Sequence, residues 1–279
     1  MKILLMKTIL VPTDFSKASI NAIDYAMEIA KLLKAKLILY HVYHIPVMVT
    51  EITSMETEED IEKLSILNLK KMKEKLLLKH GKEISISFKT NNGNVEDRIN
   101  LFTKNNDVDL IVMGIKGGGF LKEKIIGSIT TSVLRKAICP VIAVDQKVKF
   151  KSIKKIVFAC DYANENNAKI LKPLKEIANL FDAHIYVLKI AGQFEICPSP
   201  EELELKFKDM KKSLKDFEHT YHCAYNVNVV EGINKFVVAK KIDMVVMIPQ
   251  RYTLIDYIFH TPETKKMAFH SKVPLLALH

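Results

Sequence analysis

The chain has 279 residues, 48% hydrophobic and 27% charged, with 42 Lys and Arg against 32 Asp and Glu. That is ample apolar material for packed cores, and it excludes a disordered or fibrous chain. The excess of +10 is spread evenly: residues 1–147 hold 22 basic and 17 acidic side chains, the remainder 20 and 15, so each half is +5. Scattered lysines of this kind are solvated helix faces rather than a nucleic-acid footprint.

In chain order, KTILVPTDFS (residues 7–16) begins as an apolar run and ends in an aspartate, which reads as a strand and its exit turn. Residues 17–34 read as a helix. Ile20, Ile23, Ala26, Met27, Ala30 and Leu33 share one face, and Ser16 is a fair N-cap. KLILYHVYH (36–44) is a second strand. Residues 57–80 form a second helix, acidic in the first turn and lysine-rich later, as the helix dipole favours. ISISF (84–88) is a strand and 95–105 a helix. DLIVMG (109–114) is a near-continuous apolar strand of the buried parallel kind. A helix over 128–137 and the strand PVIAV (140–144) complete the series. Such alternation predicts a parallel, doubly wound sheet with helices on both faces, and ligands then sit at the carboxyl ends of the strands.

The series occurs twice. KTILVPTDFS resembles KKIVFACDYA (154–163), KLILYHVYH resembles HIYVLKIAG (184–192), DLIVMG resembles DMVVMI (243–248), and PVIAV resembles PLLAL (274–278). The offsets are 147, 148, 134 and 134, so an element in the middle of the second unit should be shorter, by about one helical turn. Two domains are expected, 1–147 and 148–279, meeting near the polar stretch QKVKFKS (146–152).

The sharpest motif follows DLIVM. Gly114-Ile115-Lys116-Gly117, nine further residues, then Gly127-Ser128 give the spacing G-x-x-G-x9-G-S between a strand and a helix. Gly114 would let the chain turn with positive φ, and Gly117 would leave backbone N–H groups open to an anion. Gly127 and Ser128 would open the helix whose unpaired N–H groups point at the same place. The loop is neither a Walker A loop nor a G-x-G-x-x-G dinucleotide fingerprint.

At these residues the chain resembles the universal stress protein family, whose ATP-binding members carry G-x-x-G-x9-G-[ST] after the fourth strand and an aspartate at the end of the first, here Asp14 in VPTDFS. The resemblance spans both halves, and it implies that the last strands, PVIAV and PLLAL, pair back to back within the chain and make it a pseudo-dimer that covers its own sheet edges. It implies two tandem Rossmann-like domains (adenine nucleotide alpha-hydrolase-like), each a five-stranded parallel sheet. It also implies ATP, with or without Mg2+ or Mn2+, as the bound cofactor. Pro12, Thr13 and Asp14 would lie along the adenosine, with Asp14 at the ribose hydroxyls. Val42 would line the adenine pocket, and Met113 and Gly114 would sit under the nucleotide. Gly117, Gly127, Ser128 and the Ile129 backbone would hold phosphates. In the second half Gly114, Gly117, Gly127 and Ser128 become Ile248, Arg251, Thr261 and Pro262, so the phosphate cradle is absent there although Asp161 remains.

The resemblance therefore implies a regulatory, ATP-binding stress-response module acting through nucleotide-dependent conformation or partner binding. The alternatives are a slow ATPase or self-phosphorylating enzyme, and an interaction protein independent of nucleotide. No general base, acidic metal pair or Walker lysine is identifiable, so weak ATP hydrolysis is the most that is expected. A homodimer and an unidentified protein partner are the assemblies this reading allows, with no nucleic acid and no membrane. The N-terminus lacks a signal-peptide pattern, no apolar run reaches the roughly 18 residues of a membrane span, and a cytoplasmic location is expected. Cys139, Cys160, Cys197 and Cys223 are too scattered to read as a disulfide framework. His219, His222 and Cys223 (H-x2-H-C) do not match a structural zinc pattern and read as loop and strand-start residues.

Overall fold

The structure, a computed structural model, describes residues 6–44, 57–115, 128–160, 169–249 and 273–279. The first half runs β1 (Thr8–Pro12), α1 (Lys17–Leu33), β2 (Lys36–Tyr43), α2 (Glu58–His80), β3 (Ile86–Asn92), α3 (Val95–Asn105), β4 (Leu110–Ile115), α4 (Ser128–Lys136), β5 (Val141–Asp145). The second runs β6 (Lys155–Ala159), α5 (Lys172–Phe181), β7 (His184–Ala191), α6 (Pro200–Lys206), α7 (Lys208–Ser213), β8 (His219–Tyr225), α8 (Val229–Lys240), β9 (Met244–Met247), β10 (Leu275–Ala277).

All ten strands form one sheet in the order β3-β2-β1-β4-β5-β10-β9-β6-β7-β8. Within each half every pairing is parallel. The halves meet through β5 and β10, antiparallel, with Ala143 opposite Leu275 and Val141 opposite Ala277. The expected back-to-back pairing of the last strands is therefore present, and it buries two apolar edges in each other. One core lies between the sheet and α1, α2 and α5, the other between the sheet and α3, α4 and α8.

The duplication extends to single hydrogen bonds. Asp109 Oδ2 accepts from the backbone N–H of Lys7 and Thr8 at 2.8 and 2.9 Å. Asp243 Oδ2 does the same for Lys154 and Lys155 at 2.9 and 3.0 Å. Asn94 caps α3 through Asp97 N, and Asn228 caps α8 through Glu231 N. Left-handed residues end the equivalent helices at Lys34 and Asp182. The connector is anchored rather than loose. Asn21 Nδ2 donates to the Asp145 and Val148 carbonyls at 3.0 and 2.8 Å. Phe150 lies between Tyr25 of α1 and Phe181 of α5, linking the two halves within one core.

Three expectations need correction. The third strand is Ile86–Asn92, shifted along from 84–88. It is a sheet edge, so its polar end, Lys89–Asn92, pairs with β2 without having to be apolar. The shortening in the second half exceeds one turn. A shift from offset 148 to 134 removes fourteen residues, about four turns, and the 23-residue α2 is answered by two pieces of 7 and 6 residues. Finally, Cys197 and Cys223 form a disulfide with Cα atoms 5.5 Å apart. Sequence spacing did not reveal it, because the segment after β7 folds back onto β8.

Candidate functional site

β1 ends at the sheet's carboxyl edge, and the turn it enters is heavily bonded. Thr13 N donates to the Tyr40 carbonyl at 2.8 Å, extending the ladder one residue past the strand. The buried Thr13 hydroxyl donates to Ser19 Oγ at 3.0 Å, and Ser19 Oγ donates on to the Ser16 carbonyl at 3.0 Å. Thr13 Oγ1 also accepts from Phe15 N. Asp14 is exposed, and its Oδ1 accepts from Ser16 N at 3.0 Å in an Asx turn. Ser16 is the N-cap of α1, as the sequence suggested. Phe15 sits at φ 61°, in the left-handed region where a bulky residue is strained. His41 compensates from β2: its ring lies 4.6 Å from Phe15, and its Nδ1–H donates to the Thr13 carbonyl at 2.8 Å. The turn that presents Asp14 is thus held in an uncommon conformation by two strands and a helix cap.

Beside this turn is a cleft lined by Pro12, Thr13, Asp14, Val42, Met113, Gly114 and Ile129, which the sequence singled out. Ser16, Ala18, Ser19, Tyr40, Val95 and Thr130 also line it and were missed. Two of these had a readable signal. Tyr40 stands two residues before Val42 on the same face of a strand, and Val95 opens the helix predicted to start there. Tyr40 closes the inner end, stacked on Phe102 at 4.5 Å with its hydroxyl donating to Asn91 Oδ1 at 3.0 Å. Burial raises that phenol's pKa, with the Arg98 charge opposing. Ser128 is the first residue of α4, while Gly117 and Gly127 lie outside the described residues.

Gly114 is needed for a reason other than the one expected. Its φ does not fall in the left-handed region. A Cβ there would come within 2.5 Å of the Ala18 carbonyl carbon and oxygen and 2.9 Å of Ser19 N. The end of β4 therefore lies directly against the first turn of α1, and only glycine permits that approach.

Two ties fix α4 over the cleft. Thr130 Oγ1 donates to the Gly114 carbonyl at 3.1 Å. Glu96, on the first turn of α3, accepts from Ser132 and pairs with Lys136 Nζ at 2.7 Å. Hydrogen bonds from Lys136 and then Ser132 hold the Glu96 carboxyl below its usual range. Helices that both contribute to the lining are thereby joined to each other.

The H-x2-H-C stretch, expected in a loop and strand start, lies wholly on β8, and strand alternation splits it. His219 Nδ1–H donates to the Phe217 carbonyl, His222 meets Thr220 on the opposite face, and Cys223 is in the disulfide. Among the described residues no three His, Cys, Asp or Glu side chains converge on a common point for a metal, and no helix is long and apolar enough to cross a membrane.

Residues 6–145, half of the chain, match the universal stress protein family. The chain belongs to that family. A universal stress protein of Methanocaldococcus jannaschii is 30% identical over 158 residues, covering 52% of this chain and 85% of that protein. A solved universal stress protein from Archaeoglobus fulgidus covers 98% of both chains with a TM-score of 0.73 at 15% identity. A Pseudomonas aeruginosa structure assigned to the same family covers 99% of this chain and 94% of its own, with a TM-score of 0.62 at 16% identity. At those identities the likeness speaks for the fold, and it does so over both halves of this universal stress protein.

Proposed function

We propose that this universal stress protein binds ATP, with or without Mg2+ or Mn2+, in the cleft of its first half, and that the bound nucleotide sets its conformation or partner in a stress response. The observation that carries the reading is the cleft itself. It lies at the carboxyl ends of β1, β2 and β4, where doubly wound sheets take ligands, and seven of the ten residues chosen from sequence line it. Val42, Val95, Met113 and Ile129 offer apolar flanks to a base. Asp14, exposed at the mouth, can accept from sugar hydroxyls. The start of α4 at Ser128 supplies N–H groups for phosphate, with Gly117 and Gly127 proposed from their spacing.

Asp14 is the one carboxylate among the described lining residues, and its Oδ1 already accepts from Ser16 N. That favours a holding role over a general base, and slow hydrolysis at most. The division at 147/148 and the loss of nucleotide binding from the second half belong to the same proposal. There Ile248, equivalent to Gly114, is buried.

The test is the nucleotide content of protein purified without added ligand, released by denaturation and identified by ion-pair chromatography with mass detection. A single adenine nucleotide per chain is expected, and Asp14→Ala should weaken ATP binding about tenfold or more through loss of charge-assisted hydrogen bonds. Two nucleotides per chain would overturn the reading of the second half. An empty protein that also fails to bind ATP in titration would overturn the reading of the first.

A further inference from the structure

The four cysteines fall into two chemical classes. Cys139 and Cys160 are buried. Burial, reinforced by Asp109, pushes the Cys139 thiol up to about 12, where almost no thiolate forms. Cys197 and Cys223 are each half-buried and are bonded to each other, 26 residues apart in sequence. Cys223 lies on β8, the edge strand of the sheet, and Cys197 on the segment 192–199 that leaves the carboxyl end of β7.

What else holds that segment is slight. Glu195 N donates to the Gly192 carbonyl at 3.2 Å, and Gly192 N donates back to Glu195 Oε2 at 3.1 Å, which makes a local turn. Glu195 pairs with Lys189 Nζ at 3.3 Å. Ser199 caps α6 at the far end. No apolar burial contributes at the tip, since Phe194 is 95% and Ile196 91% exposed. Between the Gly192 turn and the Ser199 cap, the covalent bond is the principal tether.

We propose that Cys197–Cys223 is a thiol–disulfide exchange site whose co-substrate is a dithiol reductant, and that its reduction releases the segment 192–199 from the edge of the second half. One thiolate of the reductant attacks Cys197 Sγ, the sulfur on the exposed segment, and Cys223 leaves as a thiolate. The reductant's second thiol then attacks the mixed disulfide and frees Cys197. Two electrons and two protons pass to the protein, giving two thiols, and the reductant closes its own disulfide. Reoxidation reverses the step, and the β5–β10 junction stays out of it because neither sulfur belongs to those strands.

The experiment uses the full chain, purified without reductant and then equilibrated with reduced or oxidised dithiothreitol under native conditions. Iodoacetamide labelling in denaturant, read by peptide mass, should show Cys139 and Cys160 alone modified in the oxidised protein and all four in the reduced one. Amide hydrogen exchange in 192–199 should rise about tenfold or more on reduction, while 141–145 and 275–277 stay protected. The Cys197→Ser/Cys223→Ser variant should show the fast exchange in both buffers. Four labelled cysteines in the oxidised protein, a bond that yields only when the whole chain unfolds, or reduction that leaves exchange in 192–199 unchanged would each overturn the proposal.

Discussion

Replacing Gly114 by alanine tests the geometry on which the cleft depends. The added Cβ would stand 2.5 Å from the carbonyl carbon and oxygen of Ala18, backbone atoms in the first turn of a 17-residue helix. No side chain can swing aside, so either β4 or the start of α1 must retreat by about an ångström to reach ordinary van der Waals contact. Forced overpacking of this kind costs about 1–3 kcal/mol. The displaced turn carries Ser16, Ala18 and Ser19, and Ser19 holds the Thr13 hydroxyl, so the Asp14 turn moves with it. Gly192→Ala is the control. Its Cβ would meet nothing within 4 Å, and its φ is not left-handed, so it should be neutral or stabilise slightly. Urea titrations of both variants should show a fall of about 1–3 kcal/mol for Gly114→Ala at unchanged m-value, and calorimetry should show weaker ATP binding for that variant alone. Equal stability of the two variants would refute the close-approach argument.

Asp109→Ala and Asp243→Ala should each cost about 1–3 kcal/mol in chemical denaturation, because each carboxylate oxygen accepts two backbone N–H groups in the same geometry. Markedly unequal costs would argue against equivalent roles. His279 gives a pH signature. Burial lowers its imidazole from 6.5 to about 4, so the folded state holds it neutral while the unfolded chain takes up a proton. Its contribution is therefore intact above about pH 6.5 and is lost as the pH falls toward 4, by up to about 3 kcal/mol. His279→Gln should flatten that slope in thermal melts recorded between pH 7 and 4.

Much of this was legible because the signals were local. Helices 17–34, 95–105 and 128–137 are each written in contiguous sequence, and the structure gives them within a residue. The fourfold echo of apolar runs carried the duplication, and the family resemblance carried the pairing of PVIAV with PLLAL. What escaped was spatial. The close approach at Gly114 depends on where α1 starts, since Ala18 is 96 residues away in sequence. The Cys197–Cys223 bond depends on a segment folding back across an edge strand. The strain at Phe15 and its relief by His41 depend on a neighbouring strand's register. None of these leaves a periodic trace, because each is a contact between residues whose spacing in the chain is arbitrary.

On the proposed function, the two halves differ in a way that would explain how one loses a ligand site while keeping its fold. What each sheet needs is retained in both: the carboxylate clamp, the asparagine caps and the left-handed helix ends. What a ligand needs is space, and there the second half has put side chains. Ile248 stands where Gly114 does and is buried, which contributes about 1.5–3 kcal/mol to folding. Ile190, equivalent to Val42, packs so tightly on α8 that a Cβ on Gly232 would lie 3.0 Å from two of its methyl carbons. In the first half the residue equivalent to Gly232 is Arg98, whose Nε donates to the Asn92 carbonyl and leaves Val42 facing the cleft. Filling the crevice thus adds stability, while the half keeps a structural task at β10. Without it, β5 would present Val141–Val144 as a bare apolar edge. A chain ending after residue 147 should therefore self-associate, with a sedimentation coefficient that rises with concentration, and Ile142→Lys should abolish that rise. A truncated chain that stays monomeric at all concentrations would show that the second half is retained for something other than covering this edge.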